Sequence, residues 1–390
     1  MPEARSVSIG FWVGVGGRDE PAEIAGASHF LEHLVFKGTA DRSARQIAED
    51  IDAVGGEMNA FTSREHTAYY TRLPSAALDM GLALLTDVLS APALRPHELD
   101  AEREVILEEI ALSEDEPDDK VHSLLAESLF PSHPLGREVL GSEESVETMT
   151  RDDVADFFAH WYRPANIVVA AAGALDHDEV VSAVDHYLAD RPGGERPTRQ
   201  PPGDDVVEVA VEQRPTEQAH VAIGWRAFGA DDPDRFALAV ANQVLGGGMA
   251  SRLFQEIREE RGLAYSVYSS TSLFSDAGAL FAYAGTAPAK VDEVVSIIDG
   301  QASRLAHDGI TARELDVAAG YIEGALYLSL EDSGSRMVRV GRGELSPAPA
   351  LTIDEQVERI RAVTLDDVLC VLQRVLSGSR VIATVGGQRS

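Results

Sequence analysis

Cysteine is almost absent from the chain: there is one, Cys370, in 390 residues. No internal disulfide can form. The residue falls in a helical pattern, DDVLCVLQRVL, where it reads as a small hydrophobe rather than a nucleophile. A reducing compartment, the cytoplasm, is therefore expected. Long apolar runs are also missing. Stretches such as Ile167 to Ala172 are far too short to span a bilayer. The N-terminal MPEARSVSIG has no basic segment followed by an apolar one, so no secretory signal is expected. Basic residues are scarce, 33 against 65 acidic, for a formal net charge of −32. That balance repels nucleic acid and anionic membrane, so neither is expected as a partner. A phosphate-binding fingerprint is lacking too: Gly246-Gly247-Gly248 precedes a helix without the Lys-Ser/Thr of a P-loop.

What is present is enough hydrophobic sequence, 44%, for two cores, and a repeat. Val7-Ser8-Ile9-Gly10-Phe11-Trp12 resembles Val221-Ala222-Ile223-Gly224-Trp225. Thr150-Arg151-Asp152-Asp153-Val154 resembles Thr364-Leu365-Asp366-Asp367-Val368, and the strand-like Ile167 to Gly173 resembles Val381 to Gly387. All three matches stand 214 residues apart, which points to a duplicated domain. Between the copies lies a Pro/Gly/charge-rich stretch, Asp190 to Asp205. The expected organisation is a first domain over 1–190, a linker over 191–205 and a second domain over 206–390. Strand and helix patterns mix in each half. Val7 to Val15 reads as a strand, Ser43 as the cap of a helix with Ile47, Ile51 and Val54 inward, and Glu57 to Leu73 as extended, hairpin-like chain. Ser75 reads as the cap of the next helix, and long helical patterns follow from Pro96 and Asp118. The fold class expected is α/β (α+β).

The densest chemical signal is His29-Phe30-Leu31-Glu32-His33. At about 3.6 residues per turn, positions i and i+4 share a helix face, so two imidazoles can reach one cation. Glu32 falls at the edge of that face, where a carboxylate can act on water without ligating. Catalytic zinc takes three protein ligands and leaves one position open. The third should be a carboxylate elsewhere. On the helical pattern Pro96 to Glu114, residues Glu98, Glu102, Val105 and Glu109 make one stripe. Glu109 is preferred over its neighbour Glu108 because it shares a face with Glu102, which could then orient a ligand histidine by hydrogen bond. Glu98 and Glu104 read as solvated surface. His66, alone in SREHTAYY, reads as a hydrogen-bonding residue at a strand end rather than a ligand.

GASHFLEHLVFKGT, GGEMNAFTSREHTAYY and EREVILEEI together resemble the pitrilysin/insulinase family of inverted-motif zinc peptidases. The likeness is greatest to bacterial homologues of the mitochondrial processing peptidase β subunit, and it runs nearly the whole chain. It implies one Zn2+ per chain on His29, His33 and Glu109, with Glu32 as general base and Glu102 in support. It implies an Arg and a Tyr seven apart near the substrate, matching Arg258 and Tyr265 of REERGLAY, and a substrate-binding edge strand at GEMNAFT, with Asn59 and Ala60 the positions of contact. At the 214-residue offset His29, Glu32 and His33 fall on Gln243, Gly246 and Gly247, so the second half has no equivalent metal site. The fold implied is two homologous domains, each a mostly antiparallel sheet packed with helices, forming half of a clamshell. The activity implied is endoproteolysis of peptides or unfolded polypeptide segments within an enclosed chamber. A homodimer is expected, or a heterodimer with a homologue, because four-domain relatives place the zinc in the first domain and the Arg/Tyr pair in the last. The alternative, a non-catalytic binding or structural subunit, would have lost the histidines or the base, and here all are kept. The resemblance also places a further strand before SVSIGFWVG, where this sequence begins, so the first sheet is expected to be one strand short unless the start lies upstream.

Overall fold

The computed structural model describes residues 1, 3–188 and 192–387. In chain order the first stretch forms β1 (Ser6–Val13), α1 (Ala27–Val35), α2 (Ala44–Ala53), β2 (Glu57–Thr62), β3 (Thr67–Pro74), α3 (Leu78–Ser90), α4 (Pro96–Asp115) and α5 (Pro117–Leu129). It continues through α6 (Glu143–Thr148), α7 (Arg151–Trp161), β4 (Ile167–Gly173) and α8 (His177–Leu188). The second comprises β5 (Val209–Glu212), β6 (Ala219–Ala227), α9 (Arg235–Leu245), β7 (Ala264–Leu273), β8 (Gly278–Thr286), α10 (Val291–Asp308), α11 (Ala312–Ser329), α12 (Ser333–Leu345), α13 (Ile353–Arg361), α14 (Leu365–Leu376) and β9 (Arg380–Val385). The sheet orders are β2-β3-β1-β4 and β5-β9-β6-β8-β7. All pairings are antiparallel except β5 with β9. The first sheet has four strands and the second five, with β5 the addition.

Local chemistry explains the boundaries. Ser43 caps α2 through a reciprocal box with Gln46. Thr150 and Thr364, one repeat apart, cap α7 and α14 through identical boxes with Asp153 and Asp367. Ser75 makes no cap; it opens a single 3-10 turn, Ser75–Ala77, that leads into α3.

Two compact units result, and neither is contiguous. One holds Met1–Leu112, Arg137–Gln200 and Leu328–Leu345; the other holds Ser113–Gly136, Pro201–Tyr327 and Ser346–Ser390. The expected 190/191 boundary lies outside the described residues, and the units change over at Gln200 and Pro201, inside the expected linker. Each half of the chain gives one helix to the other unit: α5 packs on β6 and β9, α12 on β1 and β4. Both sheets are thus covered on two faces. In the first, Val7, Ile9, Phe11 and Val13 of β1 join a core with Phe30, Leu34, Leu82 and Leu85. The opposite face meets α12: Ser8 Oγ lies 2.9 Å from Ser333 Oγ, and Trp12 Nε1 donates to Met337 Sδ at 3.4 Å. A Cβ at Gly10 would stand 2.5 Å from that sulfur. In the second sheet a Cβ at Gly224 would stand 3.0 Å from Leu125 and Leu129 of α5. Gly10 and Gly224 are equivalent in the repeat, and each clears room for the transferred helix.

Candidate metal centre

The helix α1 starts where it does because Gly26 adopts a left-handed φ of 94° and has no side chain with which to cap. The cap comes from a distance. The buried Glu20 carboxylate accepts the backbone N–H groups of Gly26 at 2.6 Å and Ser28 at 2.7 Å. Those are amides a helix start leaves unpaired, and a carboxylate there also favours the helix dipole. Burial raises the Glu20 pKa, and the hydrogen bonds from Ser28 and Gly26 oppose the rise.

One turn on, His29 and His33 share a face, ring centroids 4.7 Å apart. From α4, Glu109 Oε2 lies 3.6 Å from Nε2 of each. These three donors are within 4.8 Å of one another and are the one group of its kind among the described residues. Tetrahedral zinc, with bonds of about 2.0–2.2 Å, holds its ligand atoms roughly 3.4 Å apart, so two imidazoles and a carboxylate at this spacing fit the ion. Burial, then the neighbouring His33, push the His29 pKa down to about 4, which keeps the imidazole neutral and able to ligate. His29 Nδ1 is buried without a hydrogen-bond partner among the described residues. His33 Nδ1 is 3.1 Å from Glu102 Oε2, which fixes the tautomer with Nε2 free. Glu102 is buried and its other oxygen pairs with Lys37 Nζ at 2.5 Å. Glu108 is exposed and outside this group, and Glu104 is exposed as well. Glu98, expected at the surface, is half-buried and accepts from Arg95 at 2.9 Å.

Glu32 is half-buried beside the pair, its Oε2 accepting from Thr62 Oγ1 at 2.6 Å. Burial raises its pKa, opposed by that hydrogen bond. Thr62 ends β2, which is the edge strand of its sheet. Asn59 and Ala60 lie on that edge, Asn59 exposed and Ala60 half-buried, and the Asn59 amide oxygen accepts the Ala60 N–H at 2.8 Å. His66 lies in the β2–β3 turn, its Nδ1 3.0 Å from Ser63 Oγ, its ring against Trp12 and Phe61.

Arg258 and Tyr265 lie in the other unit, and both occupy irregular backbone. Arg258 is within a π-helical segment, Phe254–Glu260, and Tyr265 interrupts the β7–β8 register between Ala264 and Ser266. The guanidinium stacks between Phe254, at 4.7 Å from the ring centroid, and Tyr265, at 4.6 Å. Tyr265 is 81% exposed. π-turns and bulges both re-aim side chains and are frequent at functional sites.

Sequence reasoning missed Glu20, Thr62 and Phe254. Glu20 and Thr62 show no periodic signal. Phe254 stands at i−4 from Arg258, a spacing that could have suggested the stack.

A profile described as insulinase, peptidase family M16, matches residues 1–143, and one described as peptidase M16 inactive domain matches 148–319. An uncharacterized zinc protease of Mycobacterium tuberculosis is 44% identical over 398 aligned residues, covering 100% of this chain and 91% of its own. A counterpart of the same description in Bacillus subtilis is 37% identical over 384, covering 98% and 94%. Among solved structures, a peptidase M16 inactive domain from Pseudomonas fluorescens shares the fold with TM-score 0.94 at 20% identity, over 100% of this chain and 94% of that one. A protease from Helicobacter pylori gives 0.90 at 21%, over 98% and 95%. With two profiles of one family spanning most of its length, and relatives of this identity along all of it, the chain belongs to the pitrilysin/insulinase (M16) family of zinc peptidases.

Proposed function

We propose that this chain is a zinc metalloendopeptidase acting on peptides or unfolded polypeptide segments. The observation that carries the reading is the convergence of His29, His33 and Glu109 with Glu32 at their side. His29, His33 and Glu109 would hold one Zn2+. Bound there, zinc supplies Lewis acidity for the scissile carbonyl and acidifies water. Glu102 holds His33 in the ligating tautomer. Glu32 takes the proton from the attacking water and returns it to the leaving amine, so its carboxylate is regenerated each turnover. The edge of β2 offers backbone groups to an extended peptide at Asn59 and Ala60, where the Asn59 side chain must release the Ala60 N–H for a substrate carbonyl.

Arg258 and Tyr265 position the substrate, the tyrosine hydroxyl aimed at the developing oxyanion. They belong to the partner protomer's active site in a homodimer that encloses a chamber, or in a heterodimer with a homologue. Closed two-fold association is the commonest form of soluble oligomer. The single cysteine supports a cytoplasmic setting; no helix of the described residues is long and apolar enough to cross a membrane. The experiment is zinc analysis with turnover of a quenched peptide. Zinc-dependent cleavage is expected; no zinc and no cleavage would favour a binding subunit instead.

A further inference from the structure

The carboxylate that must move a proton is held by a side chain from another element. Thr62 Oγ1 donates to Glu32 Oε2 at 2.6 Å, and the Thr62 backbone also reaches the carboxylate. A glutamate on a helix has three rotatable bonds, and a base that wanders among rotamers spends little time in the productive one. The donor here is well fixed. Its β-branched side chain restricts χ1. Its residue pairs with Thr67, whose own hydroxyl donates to Val15 O at 3.0 Å in the buried interior. The turn that follows is clamped on all sides. Gly17 N–H donates to Ser63 O at 3.2 Å, and Arg18 N–H donates to Arg64 O at 2.7 Å. The guanidinium of Arg18 donates to Glu65 Oε1 at 2.6 Å, and Arg199 donates to Glu65 O at 2.7 Å. A Cβ at Gly16 would stand 2.2 Å from Ser63 O, so the loop presses against this turn with nothing to spare.

We infer that Thr62 is the positioning residue of the general base: its hydroxyl fixes the Glu32 carboxylate through one oxygen, leaving the other for the proton. Because Thr62 ends the edge strand β2, the element proposed to pair with the substrate backbone is also the element that aims the base. The inference rests on the reading of Glu32 as that base.

The test is a cycle of Thr62→Val, which removes the hydroxyl at constant shape, and Thr62→Ser, which keeps it, each made in the wild-type and Glu32→Gln backgrounds. Turnover of a quenched peptide, zinc content and thermal unfolding are measured for all. Thr62→Val should lower kcat about 10–100-fold, the usual cost of an outer-shell partner, with KM and zinc little changed. Thr62→Ser should recover most of the loss. In the Glu32→Gln background Thr62→Val should cost nothing further. The inference is overturned if Thr62→Val turns over near the wild-type rate, if its effect lies in KM, or if it lowers residual activity equally without the base. Should Thr62→Val unfold, Thr62→Ser decides: a folded serine variant with kcat reduced 10-fold or more removes the hydroxyl from the explanation. Near-normal turnover by Glu32→Gln alone would instead sink the reading beneath it.

Discussion

The two units descend from one pattern, yet the helix after the first long strand ends differently in each. In one unit α1 runs on through Glu32 and His33 to Val35; in the other α9 stops at Leu245, the equivalent of Leu31. The next residue, Gly246, accepts the Ser269 N–H of edge strand β7 at 3.0 Å, and a Cβ there would meet that nitrogen at 2.4 Å. In the first unit the residue at the Gly246 position is Glu32, whose side chain spans from the helix to Thr62 of edge strand β2. One further helical turn separates the copy that gathers the His/Glu group from the copy that shows no such group among the described residues. The second copy uses its edge strand otherwise, with ten residues in β7 against six in β2 and an irregularity that throws Tyr265 outward.

The comparison is broken most completely at the metal. His33→Ala and Glu109→Gln should lose zinc by elemental analysis and fall to background activity, whereas Glu108→Gln should keep both. Loss at Glu108 with retention at Glu109 would reverse the assignment. Next, Glu32→Gln should keep zinc and lose about 10²–10⁴-fold in turnover. Tyr265→Phe, on the second copy, should cost up to roughly 10²–10³-fold, the scale of one oxyanion donor. Mixing it with Glu32→Gln chains should restore activity through heterodimers carrying one intact site; no restoration despite proven subunit exchange would put the whole site in one chain.

Smaller effects sharpen the contrast. Gly246→Ala should lower unfolding stability by about 3 kcal/mol, because backbone must shift. Grafting Gln243→His, Gly246→Glu and Gly247→His together should yield no second zinc. Last, burial and then the charges of Arg342 and Arg199 depress the His66 pKa to about 4, where the other copy has Ala277 at the same turn. Its ordinary value is about 6.5, so the unfolded chain takes up this proton first. Stability should therefore decline as pH falls from about 6.5 towards 4, by about 3 kcal/mol from this residue. His66→Asn should flatten that decline in pH-dependent denaturation.

Much of this was legible before any coordinates. The spacing of His29 and His33, the Glu102/Glu109 stripe and the threonine caps one repeat apart are local patterns, and helix geometry turns each directly into position. What escaped depends on contacts made at long range. Glu20 caps α1 from a loop with no periodicity, and Thr62 meets Glu32 only once β2 lies against α1. The π-turn at Arg258 and the displaced Tyr265 depart from the regular periods that sequence patterns report. Ser75 looked like a cap but opens a 3-10 turn instead. The exchange of α5 and α12 left no mark, because an apolar helix face does not say which sheet it will meet.

That exchange has a consequence for how the chain is made. Ser8 and Ser333, which touch, are 325 residues apart. On a ribosome adding 5–20 residues per second, β1 waits roughly 15–65 s for the helix that covers its second face. Until then an apolar sheet surface bearing Trp12 stands open to misassociation, an expected point of chaperone engagement. The wait also makes the two units inseparable as genetic modules. A fragment ending in the linker contains α5, whose sheet is missing, and lacks α12, whose sheet is present. Nicking the mature chain near residue 200 should leave a complex that survives gel filtration, whereas expressing either fragment alone should give insoluble material.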